Sequence, residues 1–201
     1  MTRYATSFVL GFHGCDEAVG RRAVSEGLGL AQSNKDYDWL GPGVYFWESD
    51  PVRALEWART KAARGEVARP YVIGAVIDLG NCLDLLLREN LQLLGLAYEA
   101  FSALRKAGGL PIPENRDIRV GDRGDKLLRY RDCAVIRQLH DMVETAEPGG
   151  PLTEPFDTVR GLFVEGEPAY PGGGFYEKTH TQIAVRTDRC IKGLFLPRHL
   201  P

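Results

Sequence analysis

"GPGVYFWES", residues 41–49, sets two glycines and a proline directly before a short β-branched and aromatic run that ends on Glu48. Pro42 fixes one backbone angle and the glycines admit tight turns, so the stretch reads as a turn followed by the strand "VYFWE". On its far side Asp50 is placed to cap a helix and Pro51 to occupy that helix's first position. The helix "DPVRALEWARTKAARG" then turns Ala54, Leu55, Ala58 and Ala62 inward. Such a strand and helix leave one question: what Tyr45, Phe46 and Trp47 are presented to.

Upstream, "TSFVLGFHG" is a short apolar run closed by glycine, read as a buried strand ending at His13. The helix "DEAVGRRAVSEGL" follows, with Asp16 and Glu17 at its dipole-favoured start, and "AQSNKDYDWLGPG" is loop. Downstream, "PYVIGAVIDLG" is a continuous apolar strand. Two helical patterns come next, "LDLLLRENLQLLGLAYEAFSALRKAGG" and "GDKLLRYRDCAVIRQLHDMVETA", broken by the prolines of "GLPIPENRDIRVGDRG". Residues 146–157 form the next break and are expected to be a flexible loop. The C-terminal block holds three strands, "TVRGLFVEG", "HTQIAVRT" and "CIKGLFL". Strands at both ends with helices between them predict an α+β fold, and 201 residues suit one domain over the whole chain.

Composition narrows the function classes. A net charge of −2 gives no overall pull toward nucleic acid or an anionic membrane. The basic residues between Arg105 and Arg137 alternate with acids and read as a solvated face, with a basic contact surface as the alternative. Cys15, Cys82, Cys133 and Cys190 are too dispersed for a disulfide scaffold or a zinc knuckle. The first apolar run is too short for a signal segment or a membrane span, so a cytoplasmic location is expected.

"FHGC" on a first strand, followed about thirty residues later by "GPGVYFWE" on a second, resembles the ADP-ribosyltransferase superfamily. The resemblance is to its diphtheria-toxin-like and poly(ADP-ribose) polymerase-like branch. His13 and Gly14, then Gly41, Gly43, Tyr45 and Phe46, carry it, across residues 8–60 and 175–197. It implies a split β-sandwich core, here with a helical insertion at about residues 80–148, and NAD as substrate. It would give His13 a hydrogen bond to the adenine-side ribose and Gly14 backbone hydrogen bonds to the nicotinamide carboxamide. Tyr45 would stack on the nicotinamide ring. A residue without a side chain suits such a backbone clamp, and an aromatic face suits a flat ring.

Two departures qualify the match. The branch's third element is a glutamate on a late strand, and here that position holds Gln182. Its amide can hydrogen-bond a ribose hydroxyl but carries no charge to stabilise an oxocarbenium-like ribose. Chain elongation into a polymer is therefore not expected. Glu177, with Glu165 or Glu167 as weaker candidates, is then the acid to supply charge, and His180 the candidate general base or acceptor-orienting group. In the helix after Tyr45, relatives carry a serine and a second stacking tyrosine. This chain offers Arg53, which could reach a pyrophosphate or simply be solvated, and Trp57, which could stack or pack as core.

The expected activity is mono-ADP-ribosyl transfer from NAD to a macromolecular acceptor, protein or nucleic acid, with release of nicotinamide. A bacterial toxin or defence effector is one setting, and there a cognate antitoxin is a candidate partner. NAD hydrolysis is the first alternative. A module that keeps the fold and binds NAD, ADP-ribose or an RNA end without chemistry is the second. A Cys-His protease built on Cys15 and His13 lacks an evident third member, and a metal site at Glu177 and His180 would need a helix where the pattern reads as strand.

Overall fold

The computed structural model describes residues 8–27, 29–118, 124–146 and 154–198. Its order is β1 (Phe8–Asp16), α1 (Glu17–Glu26), β2 (Val44–Glu48), α2 (Pro51–Ala63), β3 (Pro70–Asp78), β4 (Cys82–Asp84), α3 (Arg88–Ala107) and α4 (Tyr130–Glu144). Then come β5 (Thr158–Phe163), β6 (His180–Val185), a 3-10 turn at Asp188–Cys190 and β7 (Ile191–Phe195). The fold is α+β, with one mixed sheet ordered β4-β5-β6-β2-β1-β3-β7. Only β4 and β5 run parallel; the other neighbours are antiparallel. No helix among the described residues is long and apolar enough to cross a membrane.

The sheet is continuous in name but parts at its centre. β1 pairs with β3 from Phe8↔Asp78 to Asp16↔Pro70, whereas its pairing with β2 is confined to Gly11↔Glu48 and Phe12↔Trp47. Beyond that point β2 follows β6, from Trp47↔Gln182 to Val44↔Val185. One core cluster joins Val44 and Phe46 of β2 and Ile183 and Val185 of β6 to Ile73, Ala75 and Ile77 of β3. The two halves of the sheet thus share buried apolar surface, which a flat sheet would not allow. On the other face α3 and α4 cover β4, β5 and β6, with Ala97, Ile136 and Leu139 clustered with Leu83, Val159 and Ala184. α2 covers β1 and β3 through Ala54 and Val72.

Local signals act as their chemistry dictates. Asp16 caps α1 by accepting from the Ala18 N–H, and Gly27 ends that helix in the left-handed region at φ 66°. Asp50 accepts from the Arg53 N–H, with Pro51 opening α2. Ala54 and Ala58 are buried beneath α2, as its inward stripe requires.

Three boundaries differ from expectation. β1 continues past His13 to Asp16, because Gly14, Cys15 and Asp16 stay paired with Val72, Tyr71 and Pro70. The helix expected to begin at Leu83 begins at Arg88, and residues 82–84 are the strand β4 beside β5. The run "CLDLLL" suits either state; a partner more than seventy residues away in sequence decides it. The second helix begins at Tyr130, since the residues before it are held out of the helix by the bridge Arg116↔Leu128 and by the Lys126 N–H on Asp117, with Lys126 itself at φ 49°.

Of the expected flexible loop, residues 147–153 lie outside the described residues, as do Arg119 and Arg123 of the basic stretch. Phe156 and Asp157 are buried, and Asp157 accepts from the Asn81 N–H and pairs with Arg189.

Gly14 is where this packing is least tolerant. A Cβ there would lie 2.1 Å from the backbone carbonyl oxygen of Ala54, an atom that cannot swing aside. Gly14→Ala should lower the unfolding free energy by about 1–3 kcal/mol or more. Gly193→Ala, where a Cβ meets nothing within 4 Å, should change it by about 0.5 kcal/mol or less. Urea unfolding of both variants checks the contrast.

Candidate active site

The parting of β1 and β2 creates a gap whose lining follows from strand geometry. The N–H and C=O of successive residues point to opposite edges of a strand. The Leu10 carbonyl accepts from Ser49 on the β2 side, and Glu17 donates to Arg69 on the β3 side. Even-numbered residues of β1 therefore direct their backbone groups toward β2. Gly14 is one of them, and the ladder has ended at Phe12↔Trp47. Its N–H and C=O face the gap.

His13 bridges that gap. Its Nδ1 lies 2.8 Å from the Tyr45 carbonyl oxygen, and the ring packs 5.6 Å from that of Phe46. A carbonyl can only accept, so Nδ1 carries the proton and Nε2 is left as the acceptor of a neutral ring. Burial lowers the His13 pKa from 6.5 to about 4, outweighing the hydrogen bond to Tyr45.

Tyr45 answers why the chain bends so tightly before β2. Its hydroxyl accepts from the Leu40 N–H at 3.0 Å and donates to the Gly41 carbonyl at 2.8 Å, holding the turn onto the strand that follows it. Gly41 sits at φ 75°, and a Cβ there would come within 2.7 Å of Ile136. Burial raises the Tyr45 pKa well above the usual phenol value, so the hydroxyl stays protonated. The ring is half-buried against the cluster beneath α4.

Trp47, two residues on, shares the face of Tyr45, and Gln182 lies opposite Trp47 on β6. The Gln182 Oε1 accepts from the Trp39 indole at 2.6 Å. His180 stands on the same face, stacked on Phe163 with ring centroids 5.6 Å apart and 6.2 Å from Trp47. Its Nδ1 donates to the Lys178 carbonyl at 2.6 Å, which leaves Nε2 as an acceptor, and burial lowers its pKa. Tyr45, Trp47, Gln182 and His180 thus share one face of the sheet beside the gap holding His13 and Gly14, with Trp47, Gln182 and His180 largely buried.

The remaining candidates are placed differently. Arg53 pairs with Glu165 at 2.7 Å and with Glu56, so its guanidinium already serves two carboxylates. Glu165 is thereby tied to this region, and its charge is matched. Glu177 is exposed on a hairpin arm between β5 and β6, its N–H on the Glu167 carbonyl. Trp57 is half-buried 6.2 Å from Trp47, with Lys61 and Arg64 over its ring. Cys15 is buried with its thiol pushed up to about 11, which opposes the thiolate a Cys-His protease needs. Among the described residues no group of three or more metal-ligating side chains comes together.

Sequence reasoning did not single out Trp39 or Phe163. Trp39 precedes the glycine-proline turn and lies over Gly161, where a Cβ would come within 2.8 Å of its ring. Only the pairing Gly161↔Gln182 reveals that glycine as the seat of an indole.

No protein-family model matches the chain, and no curated protein or solved structure matches it.

Tyr45→Phe keeps the ring but leaves the Leu40 N–H without its acceptor, and should cost about 1–3 kcal/mol in denaturant unfolding. His13 gives a pH signature. Its folded pKa of about 4 lies below 6.5, so between those values the unfolded chain binds the extra proton. Its contribution to stability should fall as pH drops from 6.5 and level off below 4. Proton NMR should find the His13 ring titrating near 4; a midpoint near 6.5 would contradict a half-buried ring kept neutral by desolvation.

Proposed function

We propose that the chain is a mono-ADP-ribosyltransferase of the split β-sandwich kind, cleaving NAD and transferring ADP-ribose to a macromolecular acceptor with release of nicotinamide. The observation that carries this is the gap between β1 and β2. There Gly14 offers one N–H and one C=O side by side, next to the His13 Nε2 acceptor and the surface of Tyr45 and Gln182.

A primary carboxamide has one acceptor oxygen and one donor nitrogen, the complement of the Gly14 backbone pair. A ribose hydroxyl can donate to the Nε2 of neutral His13. With the nicotinamide end held, the C1′–N bond breaks and its electron pair leaves on the nicotinamide nitrogen, which becomes neutral. A nucleophile then bonds to C1′ and loses its proton, for which the Nε2 of His180 is an available acceptor. Holding the reactants in place is most of what these residues can supply. Gln182 and the two neutral imidazoles bring no negative charge to the ribose, and Glu165 is matched by Arg53. Turnover by this site is accordingly slow.

That Gln182, and no unmatched carboxylate among the described residues, stands beside Trp47 and His180 favours the second reading, a module that binds NAD or ADP-ribose without cleaving it. Hydrolysis of NAD shares the pocket and differs in whether water or an acceptor reaches C1′.

The test is nicotinamide release from NAD by purified protein, with cell lysate as acceptor source. Wild type should release it and label an acceptor. Tyr45→Ala and His13→Ala should each reduce release at least about tenfold, the worth of one good hydrogen bond or more. Gln182→Glu should raise it, with the gain growing as pH rises, because burial lifts the introduced carboxyl's pKa and only its charged form helps. Binding without release selects the module; release without labelling selects hydrolysis; neither binding nor release rejects all three.

A further inference from the structure

The indole N–H of Trp39 can donate a hydrogen bond but never accept one. The Gln182 atom 2.6 Å from it must therefore be the amide oxygen, so the orientation of this amide is dictated by its partner's chemistry. Oε1 is thus engaged. Nε2 meets no acceptor among the described residues, yet it is not sealed from solvent.

Trp39 is itself well seated. Its ring covers Gly161, directly across the ladder from Gln182, and it meets Phe163 edge-on with centroids 5.1 Å apart. Trp47 flanks Gln182 on the other side. The backbone registers on both sides, together with the bare Cα of Gly161, hold the indole N–H where it meets the amide.

We infer that Trp39 is a positioning residue: it turns Gln182 so that the two N–H donors of Nε2, and not the amide oxygen, face the bound ligand. Residue 182 then recognises an acceptor oxygen, which, resting on the NAD reading above, is a ribose hydroxyl oxygen on the nicotinamide side. Without the indole donor an amide can turn over and present its oxygen instead. The bare fact of a glutamine at 182 leaves both orientations open; Trp39 selects one.

The test uses the full chain. Its three tryptophans give three indole N–H signals in a proton–nitrogen correlation spectrum, and Trp39→Phe assigns one of them by its disappearance. That signal should move upfield in Gln182→Leu, a variant that leaves Trp39 itself in place. Calorimetry with NAD should show affinity about tenfold weaker for Trp39→Phe, which keeps an aromatic ring at position 39 and removes the N–H donor together with the distal ring edge over Gly161. Gln182→Leu with Trp39→Phe should bind no more weakly than Gln182→Leu alone, because a positioning residue has nothing left to position. An unmoved indole signal, or losses that add in the double variant, would overturn the inference. If wild type binds no NAD, the functional reading and the ligand named here fall together, while the indole signal still decides the orientation of the amide.

Discussion

The site depends on one irregularity, the parting of β1 from β2 after Phe12↔Trp47. Parting a ladder exposes backbone donors and acceptors, and buried ones need partners. The chain satisfies the Tyr45 carbonyl with the His13 side chain and leaves Gly14's pair facing the gap. The apolar cluster beneath maintains the separation, because Phe46 and Ile183 from one half must interdigitate with Ile73 and Ile77 from the other. Closing the ladder would expel that core. The opening and the core are thus two aspects of one packing arrangement.

Electrostatically the opening is quiet, while charge is concentrated and matched at its borders. His13 and His180 are held neutral by burial, and Tyr45 is held protonated. Nearby, Arg53 joins α2 to the arm through Glu165, and Arg160 joins three strands by bonding Glu48 at 2.7 and 3.1 Å and Asp84 at 3.0 Å. A bidentate guanidinium fixes direction as well as distance, so Arg160 locks the end of β2 to β5 and β4. The charges around the opening are thus cross-linked in matched pairs.

Much of this was legible in the sequence where the signal is local. The cap at Asp50 with Pro51, the continuous run of β3 and the glycine-proline turn before β2 each follow from a few adjacent residues. The histidine and tyrosine motifs were each read on a strand, and they lie on β1 and β2; that the two strands are neighbours is seen only in the fold. Non-local pairing was illegible. Nothing within "CLDLLL" announces a strand, because its partner β5 lies far along the chain. Arg53 read as a solvated or phosphate-reaching residue because Glu165, more than a hundred positions away, is invisible from its own helix. Trp39 escaped notice for a like reason: its role depends on Gly161 and Gln182, on two other strands.

Gly14 carries two requirements at once, and they have different physical origins. The backbone of α2 presses so close that no Cβ fits, which is a demand of packing. Its N–H and C=O are also aimed at the gap, which is a demand of strand direction and does not depend on the side chain at all. Any residue at 14 would point its backbone the same way; only glycine lets α2 lie above it. The glycine therefore serves the helix first, and the helix in turn brings Arg53 and Trp57 to the rim beside Trp47 and Glu165. A glycine that the motif marks as a candidate ligand clamp is thus the contact that assembles the wall of the candidate site, and substituting it disturbs that packing whatever binds there.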